Sequence, residues 1–129
     1  MIQRPVAIGL LLCEQVVVEE NTRNVTLVNC FKERRVRTFP SEWVTFVVFA
    51  VLTDGIGDIP LEVAICRLDN LDEPYKYAVP VRFTNPLQEL RMILRLRNIS
   101  FPVPGEYQVS LFADRELVAQ RKLVIRQQE

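Results

Sequence analysis

Histidine is absent from the 129-residue chain, and that one absence removes a large part of enzyme chemistry. Imidazole is the usual general base near neutral pH and the commonest metal ligand. Ser-His-Asp and Cys-His nucleophiles, HExxH zinc sites and two-His-one-carboxylate iron sites are therefore excluded. Serine is scarce as well: Ser41, Ser100 and Ser110 are the full set, and none lies in a GxSxG elbow or an SxxK pair. Of four glycines only Gly55 and Gly57 lie near each other, so no Gly-rich phosphate cradle is present. An enzyme built on this chain has only carboxylates, Lys, Tyr or Cys to work with. The expectation is a non-enzymatic protein with no cofactor.

Cysteine is equally limited. Cys13, Cys30 and Cys66 are odd in number and contain no CxxC pair, so neither a disulfide framework nor a zinc site is expected, and the reducing cytoplasm fits best. Excess charge is missing too, because 16 Lys and Arg balance 16 Asp and Glu. A nucleic-acid surface therefore has to be a local basic patch rather than a property of the whole. No apolar run is long enough to span a bilayer. The segment "IGLLLCEQVVVEE", Ile8 to Glu20, resembles the start of a lipoprotein signal. Leu12, rather than a small residue, precedes Cys13, and an A-x-A-like cleavage site is missing. The segment is expected to be a strand, in a cytoplasmic protein with no membrane attachment.

What remains is a series of short β-branched and aromatic runs between turn residues, with little helical periodicity. Strands are expected near Val6–Cys13, continuing through Val16–Glu19, then Val25–Val36, Trp43–Thr53, Leu61–Leu68, Tyr75–Arg82, Gln88–Arg97, Glu106–Ala113 and Leu117–Arg126. About eight strands with no interposed helix predict an all-β, antiparallel two-layer sandwich, residues 1–129 forming a single domain. Pro80 marks its strand as an edge or a bulge, since proline donates nothing to a central ladder. Over Leu87–Asn98 helix formers compete with a strand pattern; the apolar even positions Leu90, Met92, Leu94 and Leu96 favour a half-buried strand.

The resumed valine run after Cys13 has the grammar of a hairpin. With a turn at Asn21 and Thr22, Val18 faces Val25, Val16 faces Leu27 and Cys13 comes opposite Cys30, a bulge near Glu14 being what would break the register. Two buried thiols serving as small hydrophobes are expected there, with a redox pair as the lesser alternative. Cys66 is expected to line the core. "DGIGD" (Asp54–Asp58) and "LDNLDEP" (Leu68–Pro74) read as connections between strands rather than calcium loops.

Two features point outward. Lys32, Arg34, Arg35 and Arg37 in "FKERRVRTF", and Arg91, Arg95 and Arg97 in "LRMILRLR", form one basic surface if their strands are neighbours; solvated or aggregation-resistant edges are the plainer reading. The strand "WVTFVVFAVL" is apolar on both faces, with Trp43, Val47, Phe49 and Val51 on one and Val44, Phe46, Val48, Ala50 and Leu52 on the other. An outer sheet face ordinarily meets water. Either a loop or the N-terminal strand covers this one, or it forms an interface, with Trp43, Phe46, Val47, Phe49 and Val51 as candidates.

"ISFPVPGEYQVSLFADRELVAQRKLVI", Ile99–Ile125, is similar to the closing strands of an immunoglobulin-like sandwich, with Tyr107 placed as in a tyrosine corner. Together with "LLCEQVVVEE", "VTLVNCF", Phe39-Pro40 and "FVVFAVLTDGIGD", the chain resembles a family of small uncharacterised bacterial proteins. Members open on a leucine-rich strand ending in Cys-Asp or Cys-Glu and close on an FPxPGxY hairpin, often turned by Asp-Gly where Asp114-Arg115 stands here. The resemblance implies an immunoglobulin-like fold and a bacterial cytoplasmic protein, and carries no catalytic residues. The expected function is a protein-interaction or scaffolding module, its partner a protein or a second copy bound through Trp43–Leu52. The alternative is a sandwich that binds carbohydrate or a polyanion through the arginine face or the acidic loops, with nucleic acid confined to a local basic patch.

Overall fold

The described residues, 2–129 of a computed structural model, form nine strands and no helix: β1 (Val6–Val18), β2 (Val25–Cys30), β3 (Glu33–Val36), β4 (Val44–Thr53), β5 (Gly57–Arg67), β6 (Tyr75–Phe83), β7 (Leu90–Ile99), β8 (Gly105–Ala113) and β9 (Glu116–Gln127). They divide into two sheets, in the orders β2-β1-β4-β7 and β3-β9-β8-β5-β6. From β4 onward the chain alternates sheets as an immunoglobulin-like sandwich does, with hairpins only at β5–β6 and β8–β9.

The alternating patterns decide which residues face inward. Along β4 the even positions Val44, Phe46, Val48, Ala50 and Leu52 are buried against Leu61, Val63 and Ile65 of β5 and Val109 and Leu111 of β8 in one core. Each large side chain of this kind contributes about 1.5–3 kcal/mol on burial. β7 is a strand, paired with β4 from Leu90 opposite Leu52 to Ile99 opposite Val44, and its buried Leu94 and Leu96 belong to the same core. Pro80 lies on β6, an edge strand, as its missing N–H requires.

Four expectations are corrected, the first being that Cys30, opposite buried Cys13, is exposed rather than buried. The stretch Val25–Val36 is two strands, because the chain changes sheets near Phe31. The Phe31 N–H still donates to the Leu12 carbonyl of the first sheet (3.0 Å), whereas the Lys32 carbonyl accepts from Val124 of the second (2.9 Å). β3 then runs parallel to β9, the one parallel pair among the described strands. β5 starts at Gly57, inside "DGIGD", where Gly57 adopts φ 91° opposite Phe83. Cys66 does not line the core: it is half-buried on the outer face of β5, with its thiol directed at a Glu73 carboxylate oxygen at 3.8 Å.

Two corners fix the second half of the chain. The Tyr107 hydroxyl donates to the Val103 carbonyl at 2.6 Å, and its ring packs edge-on against Phe101 at 5.0 Å, the geometry of a tyrosine corner. The final hairpin pairs Ala113 with Glu116 across two residues, Asp114 (φ 50°) and Arg115 (φ 70°). Positive φ at both central residues is the type I′ turn that suits the strand twist, and glycine is favoured at its second position.

Arg115→Gly is expected to relieve the left-handed penalty and stabilise the protein by about 1 kcal/mol, read as a rise in Tm. Tyr107→Phe is expected to cost about 1 kcal/mol through loss of the Val103 bond, measured by chemical denaturation. Burial raises the Tyr107 phenol above its ordinary value, so the unfolded chain releases that proton first. The associated stability is complete below about pH 10 and falls as pH rises further; the Phe variant lacks this share of the alkaline decline.

Candidate functional site

The outer face of β4 has a cover, and the cover comes from this chain. β1 pairs with β4 from Val6 opposite Thr53 to Cys13 opposite Val47, and from Cys13 onward it pairs with β2 alone. The hairpin register is the expected one, Val18 opposite Val25, Val16 opposite Leu27 and Cys13 opposite Cys30. Between Cys13 and Val16 the alternation breaks, since Glu14 and Gln15 are both exposed, and Asn29 on the facing strand takes a left-handed φ of 54°. The hairpin therefore bends over the sheet. Val16 joins Cys13 and Val47 in a second buried cluster, to which Val18, Val25, Leu27, Phe49 and Ile93 add their partly buried surfaces. At the far end the Arg91 guanidinium donates to the Arg23 carbonyl at the hairpin tip (3.2 Å).

This removes most of the interface expected along Trp43–Leu52. Phe46 is 0% exposed in the main core, where Phe31 meets its ring edge-on at 5.4 Å. Val47 is 4% exposed beneath the hairpin, Phe49 packs there too, and Val51 is half-buried. Only Trp43 stands free, at 73% exposure, one residue before β4 begins.

The seven basic residues do not form one surface either. β3 lies beyond β9, on the side where Arg121 reaches across to the Leu10 carbonyl (3.1 Å), whereas β7 is the opposite edge of its own sheet. Arg95 and Arg97 border a groove with Tyr75 and Tyr77 of β6, and Arg91 holds the hairpin tip. Lys32 sits beside Cys30, Phe31 and Arg121. Arg34 lies over the Phe31 ring, 5.0 Å from its centroid. Glu33 bridges Arg126 (2.5 Å) and Arg35 (3.4 Å), and the Arg126 bond, with both charges, holds its carboxyl below the ordinary value. Arg37 takes part in no ion pair among the described residues.

Trp43, Arg35 and Arg37 do meet. With Thr38, Glu42 and Gln128 they line an open cleft of about 290 Å³ at one end of the sandwich. The backbone leading to Glu42 and Trp43 is anchored by Ser41, a residue with no sequence signal, because its partners lie 59 and 60 positions away. Buried Ser41 exchanges two bonds with Phe101, its N–H donating to the Phe101 carbonyl (2.9 Å) and its Oγ accepting from the Phe101 N–H (2.8 Å). The Ser100 hydroxyl donates to the Ser41 carbonyl (2.9 Å). On the other wall the Gln128 N–H donates to the Val36 carbonyl (2.8 Å). Trp43 thus projects from backbone fixed on one side by Ser41 and on the other by buried Val44.

The acidic loops are engaged within the chain. Asp58 pairs with Arg82 (3.0 Å), and Asp69 and Asp72 pair with Arg67 (2.6 and 4.0 Å). Among the described residues no three His, Cys, Asp or Glu side chains are grouped to hold a metal ion, and no helix is long and apolar enough to cross a membrane.

Residues 9–126 match the model of a family of unknown function, DUF6941. The chain belongs to that family. The covering hairpin, residues 13–30, lies within the matched DUF6941 region, as does every cleft residue except Gln128. Among solved structures, the chain is similar to an immunoglobulin-like protein from Pseudomonas aeruginosa, at 15% identity and a TM-score of 0.42 over 95% of this chain and 96% of that one. No curated protein matches. The immunoglobulin-like arrangement of this DUF6941 member rests on its own strand pairing.

Ser41→Ala leaves the buried Phe101 N–H without an acceptor, which is expected to cost about 1–3 kcal/mol, measured by denaturant unfolding. The same variant frees the backbone beneath Trp43, the only tryptophan, so the fluorescence anisotropy of that residue is expected to fall.

Proposed function

We propose that this protein is a non-enzymatic interaction module whose contact centres on Trp43 and is flanked by Arg35 and Arg37. The observation that carries the reading is a tryptophan at 73% exposure on fixed backbone beside an arginine, Arg37, that has no ion pair among the described residues. Tryptophan and arginine are the side chains most enriched among residues that dominate binding energy at protein interfaces. Fixed backbone lowers the ordering cost of association. At about 290 Å³ and open to solvent, the cleft lies at the lower limit of small-ligand pockets, which run from about 300 to 1,000 Å³. It suits a side chain or turn from a partner, and Arg37, which has no ion pair among the described residues, favours one that carries a carboxylate placed away from Glu42. The outer face of β4 has no part in this contact.

A second reading has its own observation, since an aromatic ring beside two guanidinium groups also suits an anionic carbohydrate. One experiment separates the two. A photoreactive phenylalanine analogue is placed at position 43 of the full chain in its native cell, with the same analogue at exposed Lys122 as control. A discrete protein adduct at position 43 that is lost with Arg37→Glu is the expected result, and an adduct with a second copy makes the partner the protein itself. An adduct with glycan alone moves the assignment to the second reading. Equal labelling at positions 43 and 122 removes both.

A further inference from the structure

We propose that Cys13 and Cys30 form a reversible disulfide that clasps the β1–β2 hairpin over the outer face of β4. The two cysteines are register partners across the β1–β2 ladder. Residues directly opposite in an antiparallel pair have Cα atoms about 4.5–5.5 Å apart, inside the span of about 4.4–6.8 Å that a disulfide bridges. Their position is the pivot. Cys13 is the last β1 residue paired with β4, and Cys30 follows Asn29, whose left-handed φ accompanies the bend. Cys66 belongs to the other sheet and faces Glu73.

The environments of the pair differ in a way that divides the chemistry. Cys30 is exposed, and Cys13 is buried beside Val47 and Val16. Burial raises the Cys13 thiol above its ordinary range, and proximity to Cys30 adds to the shift. A peroxide therefore meets Cys30 first. The Cys30 sulfur attacks one peroxide oxygen, the O–O bond breaks, and water leaves with a sulfenic acid on Cys30. The Cys13 sulfur then attacks the sulfenic sulfur, forming the S–S bond as the S–O bond breaks and a second water departs. Two thiols are oxidised by two electrons in all, and hydrogen peroxide is reduced to two waters. A dithiol reductant reverses the step by thiol–disulfide exchange.

The clasp acts on what the hairpin covers. With the pivot crosslinked, β1 and β2 cannot part where Cys13 leaves β4, so Val16, Val18, Val25 and Leu27 pack on Val47, Phe49 and Ile93 as one unit. With both thiols reduced, the cover is retained by packing and by the Arg91–Arg23 bond alone.

The test treats the full chain with stoichiometric hydrogen peroxide, maps peptides without reduction, and follows hydrogen exchange across residues 16–28. The expected product is an intramolecular Cys13–Cys30 crosslink in the native protein and in Cys66→Ser, removed by dithiothreitol, with several-fold slower exchange of the hairpin amides. Cys30→Ser is exposed enough to fold normally, and it is expected to leave Cys13 unmodified under the same treatment. Cys13→Ala is expected to stop at the Cys30 sulfenic acid, trapped by dimedone. Intermolecular Cys30–Cys30 dimers, a Cys30–Cys66 bridge, or a stable sulfenic acid on native protein would each overturn the proposal. Unchanged hairpin exchange after crosslinking would overturn the clasp.

Discussion

A single strand that is apolar on both faces governs this structure. β4 carries Val44, Phe46, Val48, Ala50 and Leu52 inward and Val47 and Phe49 outward, so it needs a cover on each side. The five-stranded sheet supplies one. The other has to come from a neighbour of β4, and β1 is long enough to pair with β4 over its first half and carry the covering hairpin on its second. The bend between Cys13 and Val16 follows from that demand. A straight β1 would leave Val16 and Val18 on the edge of the sheet, with Val47 and Phe49 bare.

The sheet change follows from the bend. Once β2 has returned to the pivot at Cys30, the chain stands at the edge where β1 and β9 approach each other, as the Arg121 bond to Leu10 shows. The β9 edge is then the nearest unpaired ladder, and β3 takes it in parallel. Arg34 and Phe31 occupy the corner thus formed, the guanidinium lying over the ring. An exposed ion pair such as Glu33 with Arg35 adds little to stability, whereas β3 gains backbone pairing along β9 from Glu33 to Val36.

How much of this was legible in the sequence depended on how local the cause was. The hairpin register could be read because Val16–Val18 and Val25–Val28 mirror each other across one turn. The strand character of β7 showed in its even positions, and the edge position of β6 in Pro80. The tyrosine corner was equally local, with Tyr107 bonding four residues back. Long-range geometry was not legible. Nothing between Val25 and Val36 marks a change of sheet, as no glycine or proline interrupts the run and Asn29 gives no sign of its φ. Arginine spacing cannot show that β3 and β7 lie on opposite edges. The face of Cys66 was legible by alternation, since it shares the parity of Glu62 while Leu61, Val63 and Ile65 point inward, whereas the start of β5 at Gly57 lay hidden in an apparent loop. The cleft could be half read, since an aromatic and two arginines were singled out separately, and only the fold brings Trp43 to Arg35 and Arg37.

The position of Trp43 follows from the residues on either side of it. Ser41 is committed to Phe101 and Ser100, and Val44 to the core, so the backbone between these anchors cannot rotate to carry the indole inward. Alternation would also place Trp43 on the outer row with Val47 and Phe49, yet the hairpin covers that row only from Val47 onward. Burying a side chain of this size is worth at least the about 1.5–3 kcal/mol of a buried Phe or Leu, and the fold forgoes that gain here while covering every other aromatic of β4. Trp43 is therefore the apolar surface at the entry to β4 that the chain does not satisfy by itself. Because its backbone is already ordered, most of the burial energy withheld on folding is still available to whatever docks against it.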